Sequence, residues 1–90
     1  MEEQALHLLK KIVNLRETSL YTLTETLARE KNVSYREIFD ETVHLVYLLA
    51  SNNLVKLEAV EGEDGSETMV KATTLGETYL KSKVAEKVME

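Results

Sequence analysis

The first third of the chain carries a helical repeat of hydrophobic residues. In the segment "EEQALHLLKKIVNL", apolar residues recur at intervals of three and four, through Ala5, Leu8, Ile12 and Leu15. Acidic residues lie near the start of this helix and basic residues lie towards its end, an order that the helix dipole favours. The pattern predicts a first helix from about residue 3 to residue 16.

A short connection and a second helix follow. The segment "ETSLYTL" fits either one short strand or an extended connector. The next segment, "TLTETLAREKN", is typical of a helix, and we expect Thr22 or Thr24 to cap its start. Asn32 is expected to end this helix in a left-handed conformation.

The segment "SYREIFDETVHLVYLLASNN" predicts the longest helix. Ser34, with Glu37 three residues later, forms a capping-box pattern, and Asn52 and Asn53 mark the end. The expected apolar face comprises Ile38, Phe39, Thr42, Val43, Leu45, Val46 and Leu49. The expected polar face comprises Arg36, Glu37, Asp40, Glu41, His44 and Tyr47.

Two alternating segments then predict a β-hairpin. In "LVKLEAVE", Val55, Leu57 and Ala59 fall on one face, and "TMVKAT" alternates in the same way. Asp64-Gly65 between them is a strong signal for a two-residue turn with positive φ.

The last segment, "TTLGETYLKSKVAEKVME", predicts a final helix. We expect Thr74 to cap it, with Glu77 three residues on. Gly76 costs the first turn about 1 kcal/mol relative to alanine, which suggests that the backbone packs closely there. The expected apolar stripe comprises Leu75, Tyr79, Leu80, Val84 and Val88.

The composition predicts one domain, residues 1–90, of a non-enzymatic cytoplasmic protein. No apolar run reaches the ~18 residues of a membrane span, and the amino terminus lacks a signal-peptide pattern. The chain has no cysteine, no glycine-rich phosphate loop and no serine in a nucleophile motif. Neither of its histidines has a second histidine at ligand spacing, so we expect no metal and no cofactor.

The negative charge is concentrated in the middle of the chain. The net charge is −5, and residues 53–67 carry five acids and one base. The segment "EGEDGSE", 61–67, holds four acids and no base. The simplest interpretation of this segment is a solvated turn.

The order of these elements resembles the winged helix-turn-helix family. The resemblance rests on "LAREKNVS" as second helix and turn, "VHLVYLLASNNLVKL" as recognition helix leading into the first wing strand, and "TTLGETYL" as entry to the final helix. It implies an α+β fold of order α-(β)-α-α-β-β-α with a two-stranded wing. It also implies a small DNA-binding regulator whose third helix enters the major groove with its amino-terminal half. By this resemblance, the residues facing the bases would be Ser34, Tyr35, Arg36, Glu37, Asp40, Glu41 and His44.

The charge favours an alternative function. Phosphate contacts need basic or neutral donors, and this third helix offers only Arg36 among the bases. The acidic third helix and wing therefore also fit a protein-interaction subunit or adaptor. Tyr35 and Tyr47, on or near the outer face of the third helix, are candidates for contact with nucleic acid or protein in either case. The nucleic-acid-binding candidates are Ser34, Tyr35, Arg36, His44 and Tyr47.

Three further expectations concern pairing and assembly. Asp40 and His44, at i, i+4 spacing, are placed for a helix-surface contact. If the first two helices pack closely, four of their bases would lie near each other, namely Lys10, Arg16, Arg29 and Lys31. Apolar residues outside the main stripes of the terminal helices, such as Leu6 and Val84, predict a homodimer built from those helices.

Overall fold

Four helices and three strands make up the part of the chain that the structure describes. The computed structural model describes residues 3–62 and 65–89, with side chains described up to Lys83. The elements are α1 (Glu3–Leu15), β1 (Glu17–Ser19), α2 (Leu20–Lys31), α3 (Tyr35–Ser51), β2 (Val55–Gly62), β3 (Gly65–Ala72) and α4 (Thr74–Met89). This order confirms the predicted α+β fold and shows that "ETSLYTL" contains a strand.

The core lies between the first three helices and one face of the sheet. Leu8 on α1, Leu23 on α2, Leu49 on α3 and Val70 on β3 are almost completely buried. Burial of such side chains contributes about 1.5–3 kcal/mol each, so these contacts dominate the stability of the domain. Within the described residues, no helix is long and apolar enough to cross a bilayer.

Three residues of the expected apolar stripes are exposed instead, and one of them is Leu15, which is 54% exposed at the end of α1. Phe39 on α3 is 36% exposed and Leu75 on α4 is 54% exposed. Phe39 follows the buried Ile38, so the helical turn carries it to the edge of the apolar face, where it stacks against Tyr35. Leu75 points outward because its neighbour, Gly76, occupies the side of the first turn that meets the core.

The start of α2 differs from the predicted one. Ser19, and neither Thr22 nor Thr24, is the N-cap, and its Oγ accepts a hydrogen bond from the Thr22 backbone N–H at 3.0 Å. The prediction was wrong because β1 runs directly into α2. Thr24 lies inside the helix, where its hydroxyl donates to the Leu20 carbonyl. Asn32 ends α2 with φ 55°, as predicted.

The capping predictions for the later helices are partly confirmed. Ser34 caps α3 by accepting a hydrogen bond from the Glu37 backbone N–H at 3.3 Å. Helix α3 ends at Ser51 and Asn52 is its C-cap, so the expected end is confirmed. Thr73, one residue before the predicted Thr74, caps α4 by accepting from the Gly76 N–H at 2.9 Å.

The sheet is antiparallel with strand order β1-β3-β2. The β2–β3 hairpin confirms the predicted wing, and its pairing runs from Val55↔Ala72 to Gly62↔Gly65. Gly65, with φ 115°, therefore begins β3 and is not a central residue of the turn. Asp64, the other half of the predicted turn, lies outside the described residues.

Candidate nucleic-acid interface

The exposed amino-terminal turn of α3 holds the basic residue of the candidate site. Arg36 is exposed and makes no ion pair or side-chain hydrogen bond with any described residue. Ser34 immediately before the helix is also exposed, although its Oγ is used as the cap. A guanidinium at this position is available to an external hydrogen-bond acceptor.

Three aromatic rings from α2 and α3 form a ladder near the start of α3. The Tyr21 and Tyr35 ring centroids are 5.3 Å apart, and those of Tyr35 and Phe39 are 5.7 Å apart. Tyr21 comes from α2 and is 57% exposed, whereas Tyr35 is half-buried between its two neighbours. The ladder joins the start of α2 to the start of α3. Phe39 was missed as a surface residue, although its i, i+4 spacing from Tyr35 could have indicated the pair.

The acids of α3 are only partly neutralised. Glu41 is half-buried and pairs with Lys31 of α2 at 3.1 Å. Glu37 and Asp40 are exposed and pair with no described residue. No hydrogen bond or ion pair joins Asp40 to His44, so the expected contact between them is not formed in the structure. His44 is exposed, and it remains a candidate for contact with nucleic acid on the same helix.

Tyr47 lies apart from the other candidates. It is 59% exposed and follows Arg36 by eleven residues, which corresponds to about 16 Å along the helix axis. It lines a shallow groove between α3 and β2. The candidate residues thus form two groups on one helix, the first around Ser34, Tyr35 and Arg36 and the second at Tyr47.

Most bases of the first two helices are engaged by acids. Arg29 pairs with Glu25 at 2.6 Å, and Glu30 of α2 binds both Lys11 and His7 of α1. The Lys11 hydrogen bond holds the pKa of Glu30 below its usual range. The two contacts of Glu30 tie α1 to α2. Together with the Arg29–Glu25 pair, they leave less basic surface than the charges alone would suggest.

A second ion-pair group lies on the outer face of the sheet. Lys71 of β3 is 3.2 Å from Glu58 of β2 and 3.8 Å from Glu17 of β1. The Glu58 hydrogen bond raises the pKa of Lys71. No group of three or more potential metal ligands occurs in the part of the chain that the structure describes.

Two solved structures share this architecture. The candidate transcriptional regulator TA0346 from Thermoplasma acidophilum is 20% identical, with a TM-score of 0.72 over 94% of this chain and 84% of that one. A PadR family transcriptional regulator from Eggerthella lenta is 18% identical, with a TM-score of 0.74 over 96% of this chain and 75% of that one. The chain has the winged helix-turn-helix fold that the sequence resemblance implied. No protein-family model and no curated protein sequence matches it.

Proposed function

We propose that this protein is a non-enzymatic, DNA-binding regulator that acts in the cytoplasm. The observation that carries the proposal is Arg36, exposed and unpaired at the start of α3. The fold likeness to two proteins described as transcriptional regulators supports the same reading. In a helix-turn-helix, this end of the third helix reaches the base edges in the major groove.

The chemistry of the surrounding residues gives each a role. The Arg36 guanidinium would donate two hydrogen bonds to O6 and N7 of a guanine, the commonest specific contact in the major groove. The hydroxyls of Tyr21 and Tyr35 can donate to backbone phosphates, which orient the helix without reading sequence. His44, two turns further along α3, would face the next part of the groove.

The acids of α3 shape the affinity that we expect. Exposed Glu37 and Asp40 repel phosphates, although a carboxylate can accept a hydrogen bond from cytosine N4. A site of this composition gains little from non-specific electrostatics. We therefore expect weak binding to random DNA and a strong dependence on the sequence of the site.

A homodimer would double the contact area and give the regulator a two-fold symmetric operator. We propose that the terminal helices form it, because Leu15 at the end of α1 is 54% exposed. Leu6, half-buried, lies on the same helix. Sedimentation equilibrium at high micromolar concentration tests this assembly, and a purely monomeric species would overturn it.

A titration of labelled duplexes tests DNA binding. A random-sequence duplex pool is first enriched for bound members, and the affinities of the enriched and starting pools are then measured between about 50 and 200 mM salt. We expect the enriched duplexes to bind at least tenfold more tightly. Failure to enrich any sequence, together with no binding of the starting pool at about 10⁻⁴ M protein, would overturn the proposal.

A second candidate function is recognition of a basic protein segment. The observation that favours it is the exposed ladder of Tyr21, Tyr35 and Phe39 on a helix with the acids Glu37 and Asp40. Aromatic rings beside carboxylates suit an arginine- or lysine-rich partner. Saturable binding of a library of basic peptides that Phe39→Ala abolishes, with no DNA enrichment, would favour this function over the first.

A further inference from the structure

The groove between α3 and β2 differs in charge from the rest of the domain. Its polar lining comprises Tyr47, Ser51, Asn53, Lys56 and Thr73. These side chains carry hydroxyl, amide and ammonium donors, and no carboxylate of the described residues lines the groove. In a chain with 16 acids and 11 bases, an anion in this groove would meet hydrogen-bond donors, and Glu58, on the same face of β2 as Lys56, is paired with Lys71.

Lys56 is the charged residue of this groove, and the neighbouring ion pairs leave it available. The nearest acid on its strand face, Glu58, bonds to Lys71 on the adjacent strand at 3.2 Å. Lys71 also lies 3.8 Å from Glu17, so the acids on this face of the sheet gather around Lys71. Lys56 itself is exposed and forms no ion pair with a described residue.

The floor of the groove is held rigidly. The Thr73 hydroxyl lies 2.7 Å from the Asn53 carbonyl and 3.0 Å from the Leu54 carbonyl, where it can donate to either. It also accepts from the Gly76 N–H. This junction fixes the start of β2, and with it Lys56, relative to α3 and α4.

The groove lies along α3 from Arg36. Eleven residues are close to three full turns, so Tyr47 and Arg36 share one side of the helix, about 16 Å apart along its axis. A duplex that lies along this side of α3 would therefore face both residues. We propose that Lys56 and Tyr47 bind one backbone phosphate of the DNA, at the α3–β2 groove. This inference rests on the proposed DNA-binding function.

The contact would supply a positively charged donor, which the wing tip lacks. Glu61 and Glu67, the first and last residues of the tip, are exposed acids, whereas Lys56 lies at the other end of the same hairpin. The Lys56 ammonium would make a charge-assisted hydrogen bond to a phosphate oxygen, and the Tyr47 hydroxyl would donate a neutral one. Both contacts are independent of base sequence, so they set the position of the duplex and leave specificity to α3.

The test compares Lys56→Gln, Tyr47→Phe and the control Lys81→Gln with the unmodified protein on enriched and scrambled duplexes. Lys81 is an exposed lysine on α4. Log affinity falls as log salt rises, and loss of one phosphate contact makes this slope shallower by about 0.9. We expect that change for Lys56→Gln alone. We expect Tyr47→Phe to weaken binding to both duplexes with the slope unchanged. Thermal unfolding of each variant confirms that the fold is retained.

The outcomes separate this inference from the function on which it rests. Binding by the unmodified protein with equal slopes for Lys56→Gln and Lys81→Gln would overturn the groove contact and leave the regulator proposal intact. A selective loss on the enriched duplex would also overturn it, because a phosphate contact affects all sequences alike. No DNA binding by the unmodified protein would overturn both.

Discussion

Gly76 in α4 packs directly against the backbone carbonyl of Leu54, at the start of the wing. A Cβ at position 76 would overlap the Leu54 oxygen and lie 3.0 Å from the carbonyl carbon. The Leu54 carbonyl is also held by the Thr73 N–H at 3.2 Å. Glycine is therefore needed here for close approach, and the sequence-based reason for it is confirmed.

We predict that Gly76→Ala destabilises the protein although alanine is the better helix former. Propensity alone would stabilise the helix by about 1 kcal/mol. Overlap with backbone cannot be relieved by a rotamer change, and overpacking of this kind typically costs about 1–3 kcal/mol. We expect a net loss of about 1 kcal/mol or more in urea unfolding. Thr78→Ala, at an exposed position of the same helix, is the control and should be neutral or stabilising.

The cap of α2 gives a second prediction. Ser19→Ala removes the acceptor for the Thr22 N–H and a side-chain hydrogen bond to the Thr22 hydroxyl at 2.9 Å. We expect a cost of about 1 kcal/mol in the free energy of unfolding. The control is Thr26→Ala, which removes a hydroxyl bonded within the helix and improves helix propensity. Equal unfolding midpoints for the two variants would contradict the assignment of Ser19 as the cap.

Periodicity predicted the interiors of the helices and strands, but their junctions depend on distant pairing. Thr22 and Thr24 were the caps expected from the sequence, and Ser19 takes that place because it ends β1, where it pairs with Met69 of β3. No local signal contains that information. Thr73 became the cap of α4 for a similar reason, because it closes on the carbonyls of Asn53 and Leu54.

In the candidate site, too, some features follow from the local sequence and others depend on distant pairing. The exposure of Arg36 follows from the helical repeat, and the structure agrees with it. Lys56 was not singled out, because its availability depends on Glu58 bonding to Lys71 across the hairpin. Phe39 was assigned to the core because hydrophobicity alone does not reveal that Tyr35 and Tyr21 extend the aromatic surface outward.

A third prediction concerns the reading of bases. Arg36→Ala should weaken binding to an enriched duplex by about 1–3 kcal/mol and reduce discrimination against a substitution at one base pair. Lys10→Ala, an exposed lysine on α1, is the charge-matched control and should retain the discrimination. Competition titrations with single-base variants of the duplex measure both effects. If Arg36→Ala keeps the full preference, another surface reads the sequence.

The wing gives the last prediction. Its tip, residues 61–67, carries four acids and no base, and the described members Glu61 and Glu67 are exposed. Replacing Glu61 and Glu63 by glutamine and Asp64 by asparagine removes three negative charges and keeps Gly65, whose φ of 115° the hairpin needs. If the tip approaches phosphates, this variant should bind DNA more tightly than the unmodified protein.

The dependence on salt identifies the cause of such a gain. Repulsion between exposed charges is screened over about 10 Å at 0.1 M ionic strength, so the gain should shrink steadily as salt rises. Replacing Glu2 and Glu3, near the amino terminus, and Glu77, on α4, by glutamine removes the same number of charges and controls for the change in net charge. A basic protein partner would instead bind the wing variant more slowly, because the attraction that steers the encounter is reduced. Equal DNA affinity for variant and unmodified protein at low salt would show that the tip stays beyond the reach of the phosphates. The affinity would then rest on α3 and the α3–β2 groove.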